Sequence, residues 1–99
     1  MDVKHFQKKI FNFVSAWDIK RNSEPTEQNT FNHLVEKIGE LAREYVNKDS
    51  RPDKFNNVKL DNAIGDALIQ LIKLGHLRGL DIENLVLKII KDEQKLLEE

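Results

Sequence analysis

The chain has 99 residues, 39% of them apolar and 33% charged, and a chain of this length has room for one hydrophobic core. Sixteen Lys and Arg stand against seventeen Asp and Glu, so the net charge of −1 excludes a general attraction to nucleic acid or to an anionic membrane. The absence of Cys excludes a disulfide framework and thiolate metal sites. We expect one cytoplasmic domain over residues 1–99 that engages neither nucleic acid nor membrane.

The first pattern along the chain is an amphipathic helix followed by a polar segment. Apolar residues recur at three- and four-residue steps from Val3 to Trp17, and Asp2 is placed to cap this helix. The stretch from Asp18 to Gln28 is polar and contains a proline. It is predicted as a loop, and as a candidate substrate loop.

The second predicted helix has the most regular apolar face of the chain. Asn29 or Thr30 is expected to act as its N-cap. The apolar positions are Phe31, Leu34, Val35, Ile38, Leu41, Ala42, Tyr45 and Val46. The segment from Asn47 to Asn57 is rich in turn-forming residues and is predicted to be a loop.

Two more helices complete the chain. Lys59 to Leu77 has a very wide apolar arc, which predicts a helix at the centre of the fold or in a subunit interface. Gly79 is expected just beyond its C-terminus, and Asp81 is expected to cap a fourth helix that ends near Leu97.

These elements predict an all-α fold, a four-helix bundle that assembles into homo-oligomers. The connection Arg78–Leu80 is short and predicts that the third and fourth helices form an antiparallel pair. The apolar faces of these two helices are wider than one chain can cover, and burial in a homo-oligomer would resolve the surplus.

Charged side chains beside the apolar stripe of the second helix are the first candidates for chemistry. With about 100° per residue, the charged positions of this helix flank the stripe without entering it. They are Glu36, Lys37, Glu40 and Glu44. The third helix has a comparable polar line of Asn62, Asp66, Gln70 and Lys73. If the two lines face each other, carboxylates converge as ligands for Mg²⁺, with Mn²⁺ as an alternative. Otherwise they are a solvated surface with weak ion pairs.

Several short sequence motifs have an order and spacing similar to those of one protein family. HLVEKIGELARE over residues 33–44, AIGDALIQL over 63–71 and LGHLRGLDIE over 74–83 together resemble the MazG-like nucleotide pyrophosphohydrolases. The resemblance covers about Phe6 to Lys95. It implies an all-α dimer or tetramer that uses Mg²⁺ to cleave a nucleoside triphosphate into a monophosphate and pyrophosphate.

The resemblance also implies metal ligands, and the sequence departs from them at two positions. The family has an E-x-x-E pair on one helix and an E-x-x-D pair on the next. Glu40 and Asp66 match the second member of each pair and are the expected catalytic ligands. Lys37 and Ala63 stand where the other two acids belong, and Glu36 is the candidate replacement ligand.

Four residues are candidates for substrate binding, each with a structural alternative. Trp17 offers a face for stacking on a base but also fits a core position. Lys37 could contact a phosphate or simply pair with an acid, and Asn29 could be only a helix cap. His76 could lie near the nucleotide or be a buried residue at a helix end.

Three functional hypotheses remain open on the sequence. The first is a pyrophosphohydrolase whose activity is weakened or lost by the two replaced ligands. The second is a non-catalytic MazG-like module that binds a nucleotide or a protein partner. The third is an unrelated helical bundle in which the short Gly-Glu-Leu and Gly-Asp words are coincidental.

Overall fold

The structure is a computed structural model that describes residues 2–99. This part of the chain contains four α-helices and no β-strand. The helices are α1 (Val3–Lys20), α2 (Glu27–Ser50), α3 (Asn57–Leu77) and α4 (Ile82–Leu97), with a short 3-10 turn at Pro52–Lys54 between α2 and α3. The prediction of an all-α fold with four helices is confirmed.

Each helix begins at a side chain that accepts a hydrogen bond from a backbone N–H in the first turn. The four N-caps are Asp2, Thr26, Asn56 and Asp81. Such caps satisfy one of the N–H groups that have no partner within the helix, which fixes where each helix begins. The predictions of Asp2 and Asp81 as caps are confirmed.

Three predicted boundaries are wrong. Thr26 caps α2, and its Oγ1 accepts from the N–H of Asn29, so neither Asn29 nor Thr30 is the cap. The helix α1 continues through Asp18 to Lys20, because tertiary contacts of Asp18 outweigh the local polarity. The segment Asn47–Ser50, predicted as a loop, is the last turn of α2, and the helix ends just before Pro52.

Helix α3 lies at the centre, as its wide apolar arc predicts, because it contacts all three other helices. The small core joins α1 to α3 through Ile10, Val14 and Ile72, with Phe11 and Ile69 packed against it. Helix α2 runs beside α3 and makes more extensive contact with it than α1 or α4 does.

The turn from α3 to α4 is held by two sets of hydrogen bonds. The N–H of Leu80 donates to the carbonyl of Gly75 at 3.0 Å and that of Gly79 donates to the carbonyl of His76 at 2.9 Å, which is a Schellman motif. Gly79 has φ +72°, as a residue just past a helix end requires. The buried Gln7 of α1 donates to the Leu80 carbonyl at 2.9 Å and accepts from the Ile82 N–H at 3.2 Å.

Helix α4 does not lie along α3, so the predicted antiparallel pair is wrong. Only its first residues contact the rest of the chain, and every residue from Asn84 to Glu99 is exposed. The short turn fixes where α4 begins but not where it points, since α1 covers the α3 surface around Ile72. No helix in the described range is long and apolar enough to cross a membrane.

Candidate functional site

The polar lines of α2 and α3 face each other, which brings charged residues of both helices together. Thr30, Glu44 and Asn47 of α2 are buried, whereas Val35 and Ile38 of its apolar stripe are about half exposed. The charged positions of α2 are expected to flank its apolar stripe, and one of them, Glu44, is buried. The side of α2 that the chain buries is its polar side, and most of the apolar stripe remains exposed, with only Leu34 and Leu41 half-buried.

Lys37 lies between the two carboxylates that match the family's metal ligands. Its Nζ is 3.7 Å from Glu40 Oε1 on the same helix and 4.0 Å from Asp66 Oδ2 across on α3. The Lys37 side chain is 32% exposed, and those of Glu40 and Asp66 are about half exposed. An ammonium group therefore occupies the space between these acids, where the resemblance implies a divalent cation.

The residues present do not fit a Mg²⁺ site of the implied kind. Across residues 2–99 no group of three or more His, Cys, Asp or Glu side chains could hold a metal ion. Ala63 is 3% exposed, so the position of the second missing acid faces the interior of the α2–α3 contact with no oxygen to offer. Glu36 is exposed and lines neither of the cavities beside Lys37, so it does not replace the missing ligand.

A cavity of about 260 Å³ lies among α1, α2 and α3 on one side of Lys37. Its walls combine an apolar portion, which includes Trp17 and Ile69, with a polar portion contributed by all three helices. The polar residues are Asp18, Arg21, His33, Lys37, Asp66, Gln70 and Lys73. The structure thus brings three of the predicted site residues, Trp17, Lys37 and Asp66, into one cavity.

Asp18 and Lys73 form a buried ion pair in the wall of this cavity. Lys73 Nζ is 2.8 Å from Asp18 Oδ2, and the two side chains are 9% and 12% exposed, respectively. The contact is an ion pair in distance, although its angles fall short of a hydrogen bond. Gln70 Oε1 nearby is also buried and has no hydrogen-bond partner.

Trp17 carries cations over its ring. Lys20 Nζ is 5.3 Å from the ring centroid and the guanidinium carbon of Arg21 is 4.7 Å from it, both within the range of cation–π attraction. The Trp17 residue is 40% exposed, so it is not a fully buried core residue. An aromatic surface and two positive charges therefore stand together at the end of α1.

A second cavity of about 510 Å³ lies on the other side of Lys37, between α2 and α3. Glu40 and Asp66 line it together with Ala63, and Asp66 belongs to both cavities. Glu44 at its edge accepts a hydrogen bond from the N–H of Asn56 at 3.1 Å, so this carboxylate is used to hold the start of α3. Glu44 is therefore occupied by the fold.

Two predicted substrate-binding residues lie outside this site. His76 stacks on Phe11 with the ring centroids 3.5 Å apart, and it lines a different cavity between α1 and the α3–α4 turn. Asn29 is exposed at the start of α2 and lines neither cavity beside Lys37. The structure therefore assigns His76 a packing role and Asn29 a place in the first turn of α2.

Sequence reasoning did not name Asp18, Arg21 or His33 as individual site residues, although Asp18 and Arg21 lie in the segment predicted as a candidate substrate loop. Asp18 and Arg21 were assigned to a loop, and only the one-turn spacing of Trp17 and Arg21 could have placed them on a continued helix. His33 precedes Lys37 by four residues and so shares its side of α2.

Comparison of the sequence with models of known protein families gives no match, and comparison with curated proteins gives no relative.

Proposed function

We propose that this chain is a homo-oligomeric, MazG-like helical domain that binds nucleoside triphosphates and hydrolyses them weakly or not at all. The observation that carries the proposal is the cavity that joins an aromatic residue, Trp17, to the cations Arg21 and Lys37. A base can stack on an indole face, and phosphates are attracted to guanidinium and ammonium groups. The short sequence words shared with the MazG-like family support the same class of ligand.

The size of the cavity indicates which part of a nucleotide it would enclose. Its volume of about 260 Å³ is slightly below the roughly 300–1,000 Å³ of typical small-molecule sites. We therefore place the base and sugar in the cavity and the phosphates at its edge near Lys37. Arg21 lies in the same wall and can contact a phosphate from α1.

Hydrolysis is the part of the implied activity that these residues support least. A bound metal makes hydroxide near neutral pH by lowering the pKa of its water, which a lysine ammonium cannot do. Lys37 holds the place between Glu40 and Asp66, and Ala63 supplies no ligand. Binding can persist under these conditions while turnover falls to background.

Binding is tested with the four common nucleoside triphosphates by titration calorimetry and by thermal shift. A ligand at 100 times its dissociation constant should stabilise the protein by about 2.7 kcal/mol. Trp17→Ala should weaken binding, whereas Phe6→Ala on the same helix, an aromatic residue of equal 40% exposure outside the cavity, should not. If no triphosphate binds, the nucleotide proposal is refuted, and the alternative of a protein-interaction module is favoured.

Restoration of the two missing acids tests the relation to an active enzyme. Pyrophosphate release with Mg²⁺ or Mn²⁺ should stay at the level of a Glu40→Ala, Asp66→Ala control in the natural chain. It should appear in the double variant Lys37→Glu, Ala63→Glu. Robust turnover by the natural chain would contradict the proposal that its hydrolytic site is degenerate.

The homo-oligomer is proposed from surface area. The single chain exposes 7725 Å², whereas a compact monomer of this mass is expected to expose about 5,800 Å². Its radius of gyration of 16.5 Å likewise exceeds the roughly 13 Å expected for a compact domain of this length. The excess is about 1,900 Å² per chain, more than the roughly 800 Å² that each partner buries in a standard interface.

Much of that surface is apolar and forms continuous faces, so a second copy of the chain is the proposed occupant. Ile38 is 49% exposed on the stripe of α2, and Leu68 is 45% exposed on α3. Sedimentation should show a dimer or tetramer, and Ile38→Lys should dissociate it. Asn32→Lys, an exposed position of the same helix outside the stripe, is the matched control. A monomer that remains folded at micromolar concentration would refute the assembly.

A further inference from the structure

We infer that the nucleotide bound here is the metal-free polyphosphate, and that Lys37 takes the place a divalent cation would otherwise hold. The inference rests on the proposed function and specifies the chemical form of its ligand. It follows from a mismatch between the implied Mg²⁺ site and the residues present at the α2–α3 contact. Only two acids, Glu40 and Asp66, stand there, and both are already paired with the Lys37 ammonium group.

The position of Lys37 makes it both a counterion and a ligand contact. Its Nζ lies 3.7 Å from Glu40 and 4.0 Å from Asp66, and the side chain also lines the cavity that contains Trp17. These distances are longer than the 2.7–2.9 Å of a strong charge-assisted hydrogen bond. A phosphate oxygen can therefore replace the looser contact to Asp66 without breaking a short bond.

The charges in the cavity wall favour an anion that arrives without its own cation. Arg21, Lys37 and Lys73 are positive and Asp18 and Asp66 are negative, so with His33 neutral the wall carries a net charge of +1. The Lys73 ammonium is matched by Asp18, so the remaining charges of the wall are Arg21 and Lys37 against the single carboxylate of Asp66. A bound Mg²⁺ on the phosphates would place a divalent cation beside both of them.

The sign of the metal effect follows from this arrangement. Chelation by Mg²⁺ lowers the negative charge of a polyphosphate and adds a cation that the Lys37 ammonium repels. Affinity should therefore fall, or stay the same, when Mg²⁺ is added to the natural protein. A site that coordinates Mg²⁺ through its own carboxylates would show the opposite order, because the metal would join protein and phosphate.

The experiment measures the affinity for ATP, GTP, CTP and UTP, and for inorganic tripolyphosphate, by calorimetry in EDTA and again in excess MgCl₂. The natural chain should bind at least as tightly in EDTA. Lys37→Glu should lose about 10- to 100-fold in EDTA, as expected for loss of a charged hydrogen-bond donor, and should regain affinity with Mg²⁺. Lys48→Glu makes the same charge change on the same helix outside both cavities and should preserve the natural behaviour.

The outcomes separate this inference from the function on which it rests. Binding by the natural chain that is tighter in MgCl₂ than in EDTA overturns the inference and leaves the nucleotide site standing. No binding in either buffer refutes the proposed function itself. If Lys37→Glu does not fold, judged by circular dichroism, Lys37→Gln replaces it and should show the same loss in EDTA. The comparison of EDTA and Mg²⁺ on the natural chain decides the result without any variant.

Discussion

The buried ion pair between Asp18 and Lys73 gives the sharpest test of the fold. Asp18→Asn removes the negative charge at nearly constant shape and leaves the Lys73 ammonium, with its side chain 9% exposed, without a counterion. Removal of one partner of a buried pair typically costs about 3–5 kcal/mol, because an unpaired charge remains in the interior. This pair lies in a cavity wall that water can reach, so the lower end, about 3 kcal/mol, is expected.

The assay is thermal unfolding at one fixed protein concentration. For a domain of this size each kcal/mol shifts Tm by about 4–8 °C, so Asp18→Asn should lower Tm by about 12–24 °C. Replacement of both partners, Asp18→Asn with Lys73→Met, should recover most of the loss, since no buried charge then remains unpaired.

A matched surface pair provides the control. Arg78 and Glu27 also meet at 2.8 Å, but their side chains are 59% and 53% exposed. Glu27→Gln should therefore cost less than about 1 kcal/mol. If Asp18→Asn costs no more than Glu27→Gln, the Asp18–Lys73 pair is solvated in the assembled protein. The contact between α1 and α3 would then depend on the apolar core of Ile10, Val14 and Ile72 and not on this ion pair.

Three further predictions concern the α3–α4 turn. Gln7→Ala should cost about 1–3 kcal/mol, because it leaves the Leu80 carbonyl and the Ile82 N–H unpaired, and hydrogen exchange should quicken at the start of α4. Gly79→Ala should cost about 1–2 kcal/mol in chemical denaturation, since φ +72° is strained for any residue with a Cβ; no loss would contradict the left-handed turn. The Asn84 N–H lowers the pKa of Asp81 below its ordinary 3.8, so its contribution to stability is present above that value and is lost as the pH falls through the lowered pKa. The stability advantage over Asp81→Asn, measured by thermal unfolding from pH 7 to pH 3, should shrink on acidification.

Local sequence signals predicted the helices well and their ends less well. The stripes of α1 and α2 and the stop at Gly79 follow from periodicity and backbone preference, which act over a few residues. The end of α1 could not be predicted in the same way. Asp18 is polar and adjoins a proline-containing segment, yet the helix continues through it because Lys73, distant in sequence, pairs with it.

The sequence predicted the polar lines of α2 and α3 but not which side of α2 the fold buries. Helix geometry predicted a polar line on α2 and another on α3 and left open whether they face each other, and the approach of Lys37 to Asp66 shows that they do. A sequence rule that buries apolar faces would have turned α2 the other way, with Ile38 inside and Glu44 outside. The chain instead buries Glu44, and the apolar face remains for contact outside the single chain.

In the proposed homo-oligomer, helix α4 would link the concentration of the protein to its lifetime. It is 16 residues long, is anchored only at its start, and in a lone chain would be of marginal stability, as isolated helices of this length are in water. Its Lys88, Lys91 and Lys95 are exposed to proteases that cleave after basic residues. If the chain assembles as proposed, this helix would fray first and be cut first when the copy number falls below the dissociation constant of the assembly. Single chains would thus be degraded faster than assembled ones.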